Sequence, residues 1–218
     1  MADIFDLFQQ IAKKENTAKE PISHLIVGLG NPGKKYEMTR HNAGFLTIDY
    51  LAEQYGVRID RAKFHALCAE ARIDGKSVLL MKPQTLMNAS GLAVQEAAAF
   101  YKIAPERILV ISDDIAQEPG KMRVRRKGSA GGQKGLNDII TCLGTDAFPR
   151  LRMGVGAKPH PDFDLADWVL SEFRQEEKER LFSCFAAAKL GIEKILNGDF
   201  DGAMQICNSY APPKKDQE

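Results

Sequence analysis

From Ile22 onward the apolar positions of this chain fall into short runs whose period keeps changing. "ISHLIVGL" is nearly continuous, the pattern of a strand buried on both faces. "AGFLTIDYLAEQYG" spaces Phe45, Ile48, Leu51 and Ala52 along one face of a helix, with Gly56 as its stop. "HALCAEARI" and "KSVLLMK" flank Asp74-Gly75 and read as a hairpin with a tight turn. "SGLAVQEAAAFYKI" is helical, "RILVIS" is a buried strand, and "KMRVRR" alternates as a strand does. Behind them "GLNDIITCLG" predicts a helix, "RLRMGVG" a strand and "DLADWVL" a short helix. "QEEKERLFSCFAAAKLGIEKILNG" reads as one long helix closed by Gly198, and the tail "NSYAPPKKDQE" as disordered. Ahead of the regular region, Ile4, Leu7, Phe8 and Ile11 stand at helical spacing over residues 3–14, followed by a polar linker, "KKENTAKE".

Strands interleaved with helices, plus one hairpin, predict a single α/β domain whose mixed, mostly parallel twisted sheet is flanked by helices. The expected organisation is an N-terminal extension over 1–21, the domain over 22–200, and a C-terminal segment over 201–218 ending in a flexible polar tail.

Composition agrees with one domain: 218 residues, 44% apolar and 27% charged. No run approaches the ~18 apolar residues that a membrane span requires. The first twenty residues lack a basic region followed by a continuous apolar core, so no secretory signal is expected. Cys68, Cys142, Cys184 and Cys207 are scattered without a C-x-x-C pair and read as reduced thiols rather than staples or zinc ligands. The net charge of +1 conceals a division. Between Lys121 and His160 there are nine Lys or Arg against two Asp or Glu, a local +7 that leaves −6 for the remainder. Such a band is either an ordinary solvated surface or the footprint of a polyanionic partner.

Gly28, Gly30 and Gly33 fit G-x-G-x-x-G, the spacing of a dinucleotide-binding loop. That loop needs a helix to open inside the motif, whereas "KKYEMTRHN" carries no helical stripe and the next helix starts near Asn42 or Ala43. Pro32 also removes one amide from the loop. The glycines are therefore expected to form a tight turn that projects Asn31. Asn31 ends one buried strand, Asn88 follows a second and Asp113 ends a third, with His41 in an adjoining loop. Ligands of open α/β sheets sit beyond the carboxyl ends of the strands. Each residue also has a plain structural role open to it: Asn88 and Asn42 as helix caps, Asp113 and Asp114 as turn residues, His41 as a structural histidine.

Taken together, four stretches resemble the bacterial peptidyl-tRNA hydrolase family: "VGLGNPGKKYEMTRHNAG", "KPQTLMNASG", "VISDDIAQEPGKMRVRRKGSAGGQKGLNDII" and "FPRLRMGVG". They occur in the family's order, and the likeness covers about residues 22–200. The resemblance implies a single phosphorylase/hydrolase-like α/β domain. It implies hydrolysis of the ester joining a nascent peptide, or an N-blocked amino acid, to the 3′ ribose of tRNA dropped by the ribosome. It further implies a cytoplasmic monomer that uses no cofactor or metal and has no membrane partner.

By that pattern His41 is the general base, Asp113 stabilises the imidazolium, and Asn31 distinguishes N-blocked from free aminoacyl groups. Tyr36, Leu86 and Asn88 fall at substrate-contact positions, as does Lys134, and Arg125 and Arg152 at positions that clamp the tRNA 5′ phosphate. The side chains suit these tasks: imidazole titrates near neutral pH, amides pair with peptide groups, and guanidinium forks match phosphate. Gly131, Gly132 and Gly135 are expected either to expose amides at a helix start or to form a plain turn. Three positions depart from the family. Gln133-Lys134 replaces a common His-Asn, Ala116 replaces an acid, and Leu86 stands where an aromatic is frequent. Two rival readings are an inactive relative that binds RNA or a protein, and a nicotinamide-dependent oxidoreductase.

Overall fold

The computed structural model describes residues 20–213; the helix expected over residues 3–14 lies outside them. The strands are β1 (His24–Gly28), β2 (Arg61–Lys63), β3 (Ala66–Ile73), β4 (Lys76–Pro83), β5 (Ile108–Asp114), β6 (Met122–Arg125) and β7 (Arg150–Gly154). The helices are α1 (Ala43–Gln54), α2 (Ser90–Tyr101), α3 (Lys134–Leu143), α4 (Leu165–Leu170), α5 (Gln175–Ser183), α6 (Phe185–Leu196) and α7 (Phe200–Ser209). All seven strands join one sheet in the order β2-β3-β4-β1-β5-β7-β6. The central four, β4-β1-β5-β7, are parallel, and antiparallel β3 and β6 flank them. The chain passes from β1 to β4 on one side and then crosses to β5 on the other. The crevice between the carboxyl ends of β1 and β5 is therefore the switch point at which open sheets take ligands.

Both faces of the sheet are covered, which explains the unbroken apolar runs. Ile26, Leu109, Ile111, Leu151 and Met153 pack against residues of α1, α5, α6 and α7. Leu25, Val27, Ile108 and Val110 face the opposite way, against α2 and α3. Burying side chains of this size contributes roughly 1.5–3 kcal/mol each.

The opening glycines work differently from the expected turn. A Cβ on Gly28 would lie 2.4 Å from the Gly44 carbonyl oxygen, and one on Gly30 would lie 2.6 Å from the Phe45 ring. These two glycines let α1 press its amino end onto β1, and Gly33 alone of the three takes a positive φ, 108°. Since α1 starts at Ala43, the helix that a dinucleotide loop requires is missing from the motif.

Three further expectations change. The predicted long helix is two, α5 and α6, broken at Cys184. There the amide steps back only three residues, to the Leu181 carbonyl, and the Ser183 and Cys184 side chains also bond to carbonyls of the preceding turn. Such back-bonding competes with the helical ladder and bends it. The tail is ordered further than expected, because Asn208 Oδ1 accepts from the Val124 amide at 2.7 Å and so caps edge strand β6. The Tyr210 hydroxyl adds a bond to the Ser183 carbonyl at 2.7 Å. Finally, β2 was unforeseen: its three residues are all exposed and carry no alternation. Among the described residues no helix is long and apolar enough to cross a membrane.

Candidate active site

A cleft of about 550 Å³ opens over the carboxyl ends of the parallel strands, and Asn31, Tyr36, His41, Leu86, Asn88, Asp113, Lys134 and Arg152 all border it. Arg125 does not line it.

His41 lies in a 3-10 turn, Arg40–Asn42, immediately before α1. Its Nδ1 is 2.9 Å from Asp113 Oδ2; the histidine side chain is 12% exposed and the aspartate 3%. A carboxylate partner assigns the proton to Nδ1, so Nε2 carries the lone pair. The other carboxylate oxygen, Oδ1, accepts from Gln133 Nε2 at 3.0 Å. Gln133 also caps α3, its Oε1 accepting the Leu136 amide at 2.6 Å. One buried side chain thus couples a helix start to the acidic partner of His41.

The turn that carries His41 is tied down by its neighbours. The Arg40 guanidinium donates to the Val155 carbonyl at 2.8 Å and to Glu177 Oε2 at 2.7 Å, and stacks 3.7 Å from the centre of the Trp168 ring. Burial acts to raise the Glu177 pKa, but bonds from Arg40 and from the Arg174 amide and side chain prevail and hold it below the usual carboxylate value. On the other flank, Asn42 occupies the N-cap position of α1, but its side chain makes no cap bond. Its Oδ1 accepts from the Asn31 amide at 2.8 Å and its Nδ2 donates to the Asn31 carbonyl at 3.0 Å.

Asn31 is held from the side chain as well, since its Oδ1 accepts the Met87 amide at 2.8 Å. One acceptor position of Oδ1 is thus used inside the fold, while the Nδ2 donors have no partner among the described residues and are left for the cleft. Asn88 is no cap: Ala89 occupies the cap position of α2, and Asn88 is exposed and borders the cleft. Tyr36, also on the cleft, is half-buried, and Leu86 is 59% exposed.

In the second glycine loop, Gly131 and Gly132 take φ of 58° and 84°, and a Cβ on Gly131 would lie 2.9 Å from the Arg152 guanidinium. Gly135 instead sits inside α3, where a Cβ would be 2.6 Å from Met87 Sδ. That close approach brings Lys134, the first residue of α3, beside Asn88.

The basic band is smaller than its sequence implies. Arg150 is buried and donates to the carbonyls of Gly128, Ser129, Asp146 and Phe148. Lys121 and Lys158 are engaged with backbone carbonyls, and Arg126 with Asp201. Arg152, 19% exposed, holds its Nε 3.5 Å from Asp114 Oδ2 and donates to the Ala130 carbonyl at 3.2 Å. Arg123 and Arg125 remain exposed on β6, and Arg123, not Arg125, is the register partner of Arg152.

Sequence reasoning missed the far wall. Asp164, Leu165, Ala166, Val169 and Leu170 line the cleft together with Leu86 and Ile115. Leu165 and Leu170 stay exposed, and two such leucines on a six-residue helix were the available signal. Among the described residues no group of three or more His, Cys, Asp or Glu is placed to hold a metal ion.

An imidazole–carboxylate pair stands at the switch point of an open sheet, beside amide donors and an apolar wall, and the arrangement defines an α/β protein whose site is chemically able to carry general-base catalysis. Comparison with known proteins narrows this class. A family model described as peptidyl-tRNA hydrolase matches residues 25–217, and the chain belongs to that family. A peptidyl-tRNA hydrolase of Caldicellulosiruptor bescii is 49% identical over 187 residues, covering 86% of this chain and 97% of that one. Another from Clostridium botulinum is 47% identical over 190 residues, covering 87% and 98%. The crystal structure of peptidyl-tRNA hydrolase from Acinetobacter baumannii superposes with a TM-score of 0.82 at 37% identity, covering 91% of this chain and all of that one.

Proposed function

We propose that this chain hydrolyses the ester between a peptide, or an N-blocked amino acid, and the 3′ ribose of tRNA, with His41 as general base. The observation that carries the reading is the 2.9 Å pair between His41 and the buried Asp113. With Nδ1–H directed at Asp113, Nε2 takes a proton from water as the oxygen attacks the ester carbonyl. The carboxylate offsets the charge of the resulting imidazolium, which returns its proton to the departing ribose oxygen. The Nδ2 donors of Asn31 meet the carbonyl of the peptide unit next to the ester. A free aminoacyl group lacks that unit and leaves the donors without their partner.

Tyr36, Leu86 and Asn88 contact the peptidyl end, and the α4 wall shelters its apolar side chains. Arg125 and Arg152 serve the tRNA phosphates, Arg125 as an open surface cation and Arg152 from beside Asp114. The protein works as a cytoplasmic monomer. Incubation with N-acetyl-aminoacyl-tRNA should release acid-soluble N-acetyl amino acid much faster than free aminoacyl-tRNA releases its amino acid. Equal rates on the two substrates would indicate a generic esterase, and no release from either would sink the reading.

A further inference from the structure

A second pocket, of about 360 Å³, adjoins the cleft and is lined by Asn88, Ala130, Gly132, Lys134, Asn137 and Asp138, with Thr141 at its end. Asn88, Gly132 and Lys134 border both spaces, so the two communicate across the Lys134 side chain.

The chemistry around the cleft changes steadily along the strand order. At the carboxyl end of β4 stand Leu86 and Asn88, and beyond β1 stands Asn31. Asp113 ends β5 and meets His41. Arg152 lies on β7, and Arg123 and Arg125 on the edge strand β6. The β6–β7 side is cationic and the β4–β1 side is amide and apolar, with the general base between them. On the proposed hydrolase reading, on which this inference rests, RNA takes the first side and peptide the second. The second pocket runs from Asn88, which also borders the cleft, along α3 to Ala130 and Gly132 of the second glycine loop.

Lys134 thus stands beside Asn88, a cation on α3 rather than on the strands β6 and β7 that carry the arginines. It is exposed and forms no ion pair among the described residues. Its position is also electrostatically poor for the fold, because the first turn of a helix carries partial positive charge and favours anions. Asp138, one helical turn further on, is the acid facing the same pocket. Its Oδ2 accepts the Gly91 amide at 2.6 Å, so its charge is directed at the amino end of α2 rather than at Lys134.

We propose that this second pocket is a subsite for a peptide side chain upstream of the esterified residue, and that Lys134 makes it favour an acidic one. Exposed ion pairs are modest, so the preference for Glu over its neutral isostere Gln should be about two- to fivefold in kcat/KM. The test uses N-acetylated dipeptidyl- and tripeptidyl-tRNAs with Glu, Gln or Lys at the upstream positions. At one of these positions the wild type should favour Glu over Gln and Gln over Lys. Lys134→Gln should bring the Glu:Gln ratio to about one, Lys134→Arg should retain it, and Lys134→Glu should invert the order of Glu and Lys. A wild-type ratio of one at every position would overturn the subsite while leaving the hydrolase reading intact. So would a Lys134→Gln variant that loses efficiency equally on all substrates with the ratio unchanged, since that marks Lys134 as a phosphate ligand. A wild type inert toward every N-acetylated substrate would instead defeat the underlying reading.

Discussion

Asn42 holds Asn31 by both of its main-chain groups, accepting from the amide at 2.8 Å and donating to the carbonyl at 3.0 Å. An asparagine amide is the one short side chain that supplies an acceptor and a donor side by side. Asn42→Asp keeps the acceptor and loses the donor, and Asn42→Ala loses both. Leaving buried main-chain groups unpaired costs about 1–3 kcal/mol each. Turnover should fall by roughly 10-fold for Asp and up to ~10² for Ala, because displacements near 1 Å at a positioned group have effects of that size. Kinetics and Tm measured together check this. If Asn42→Ala retained wild-type turnover, Asn31 would not need this grip.

His41→Ala should lower kcat by ~10²–10⁴, the usual share of a positioned base, while tRNA affinity changes little. Asp113→Asn should also slow turnover, since an amide cannot offset the imidazolium charge. Steady-state kinetics with N-acetyl-aminoacyl-tRNA separates the two effects. Near wild-type kcat in His41→Ala removes His41 from the mechanism, and an unaffected Asp113→Asn would make Asp113 structural.

Gln133 offers a sharper probe of the same pair. Gln133→Glu keeps an oxygen to cap the Leu136 amide but replaces the donor to Asp113 with a second acid. Two carboxylates in contact cannot both stay ionised cheaply, so Asp113 is weakened as a partner for His41. The variant should fold normally by circular dichroism and lose on the order of tenfold in kcat, the effect of about 1.4 kcal/mol. Gln133→Leu removes cap and donor together and should lower Tm as well. Wild-type turnover in Gln133→Glu would show that the Gln133–Asp113 bond has no bearing on the reaction.

The two arginines should separate. Arg125 is exposed and forms no ion pair among the described residues, so Arg125→Gln should weaken full-length substrate at low salt. It should also flatten the salt dependence by ~0.7–0.9 logarithmic units for each phosphate that is no longer neutralised. A minimal substrate without the tRNA 5′ end should be nearly indifferent to it. Arg152→Gln also removes the cation beside Asp114 at the cleft wall, so it should cost activity on both substrates. KM against salt for each variant and substrate is the measurement. An equal loss on both substrates for Arg125→Gln would refute its role in binding tRNA.

His24, at the start of β1, has its pKa lowered from 6.5 to about 4 by burial, assisted by the charges of Arg107 and Lys76. The folded chain keeps it neutral where the unfolded chain protonates it. Its contribution is therefore complete above pH 6.5 and declines as pH falls toward 4. Tm should decline across that window in the wild type, and less steeply in His24→Gln. Identical slopes in the two proteins would place the acid sensitivity elsewhere.

Most elements were legible in the chain because both sheet faces are buried, so local period and apolar length coincide with the structure. The exceptions share a cause: β2 is too short and exposed to carry a pattern, and the break at Cys184 depends on side-chain bonds that no periodicity records. The tail looked unstructured because Asn208 and Tyr210 are polar, and their partners, Val124 and Ser183, are remote in sequence.

For the site, the sequence by itself determined the chemical inventory: an imidazole, a carboxylate and amides at the ends of buried strands, with cations further along. What each group is free to do was decided only by the tertiary structure. It ties Asn31 Oδ1 to the Met87 amide, makes the Asn42 side chain a clamp on Asn31 rather than a capping group, and uses Arg150 inside the fold while Arg125 stays open to solvent. The reason is physical. A polar group's function depends on which of its hydrogen-bonding positions remain unsatisfied, and here partners such as Met87 for Asn31 and Gly128 for Arg150 come from segments 56 and 22 residues away that meet only when the sheet is assembled.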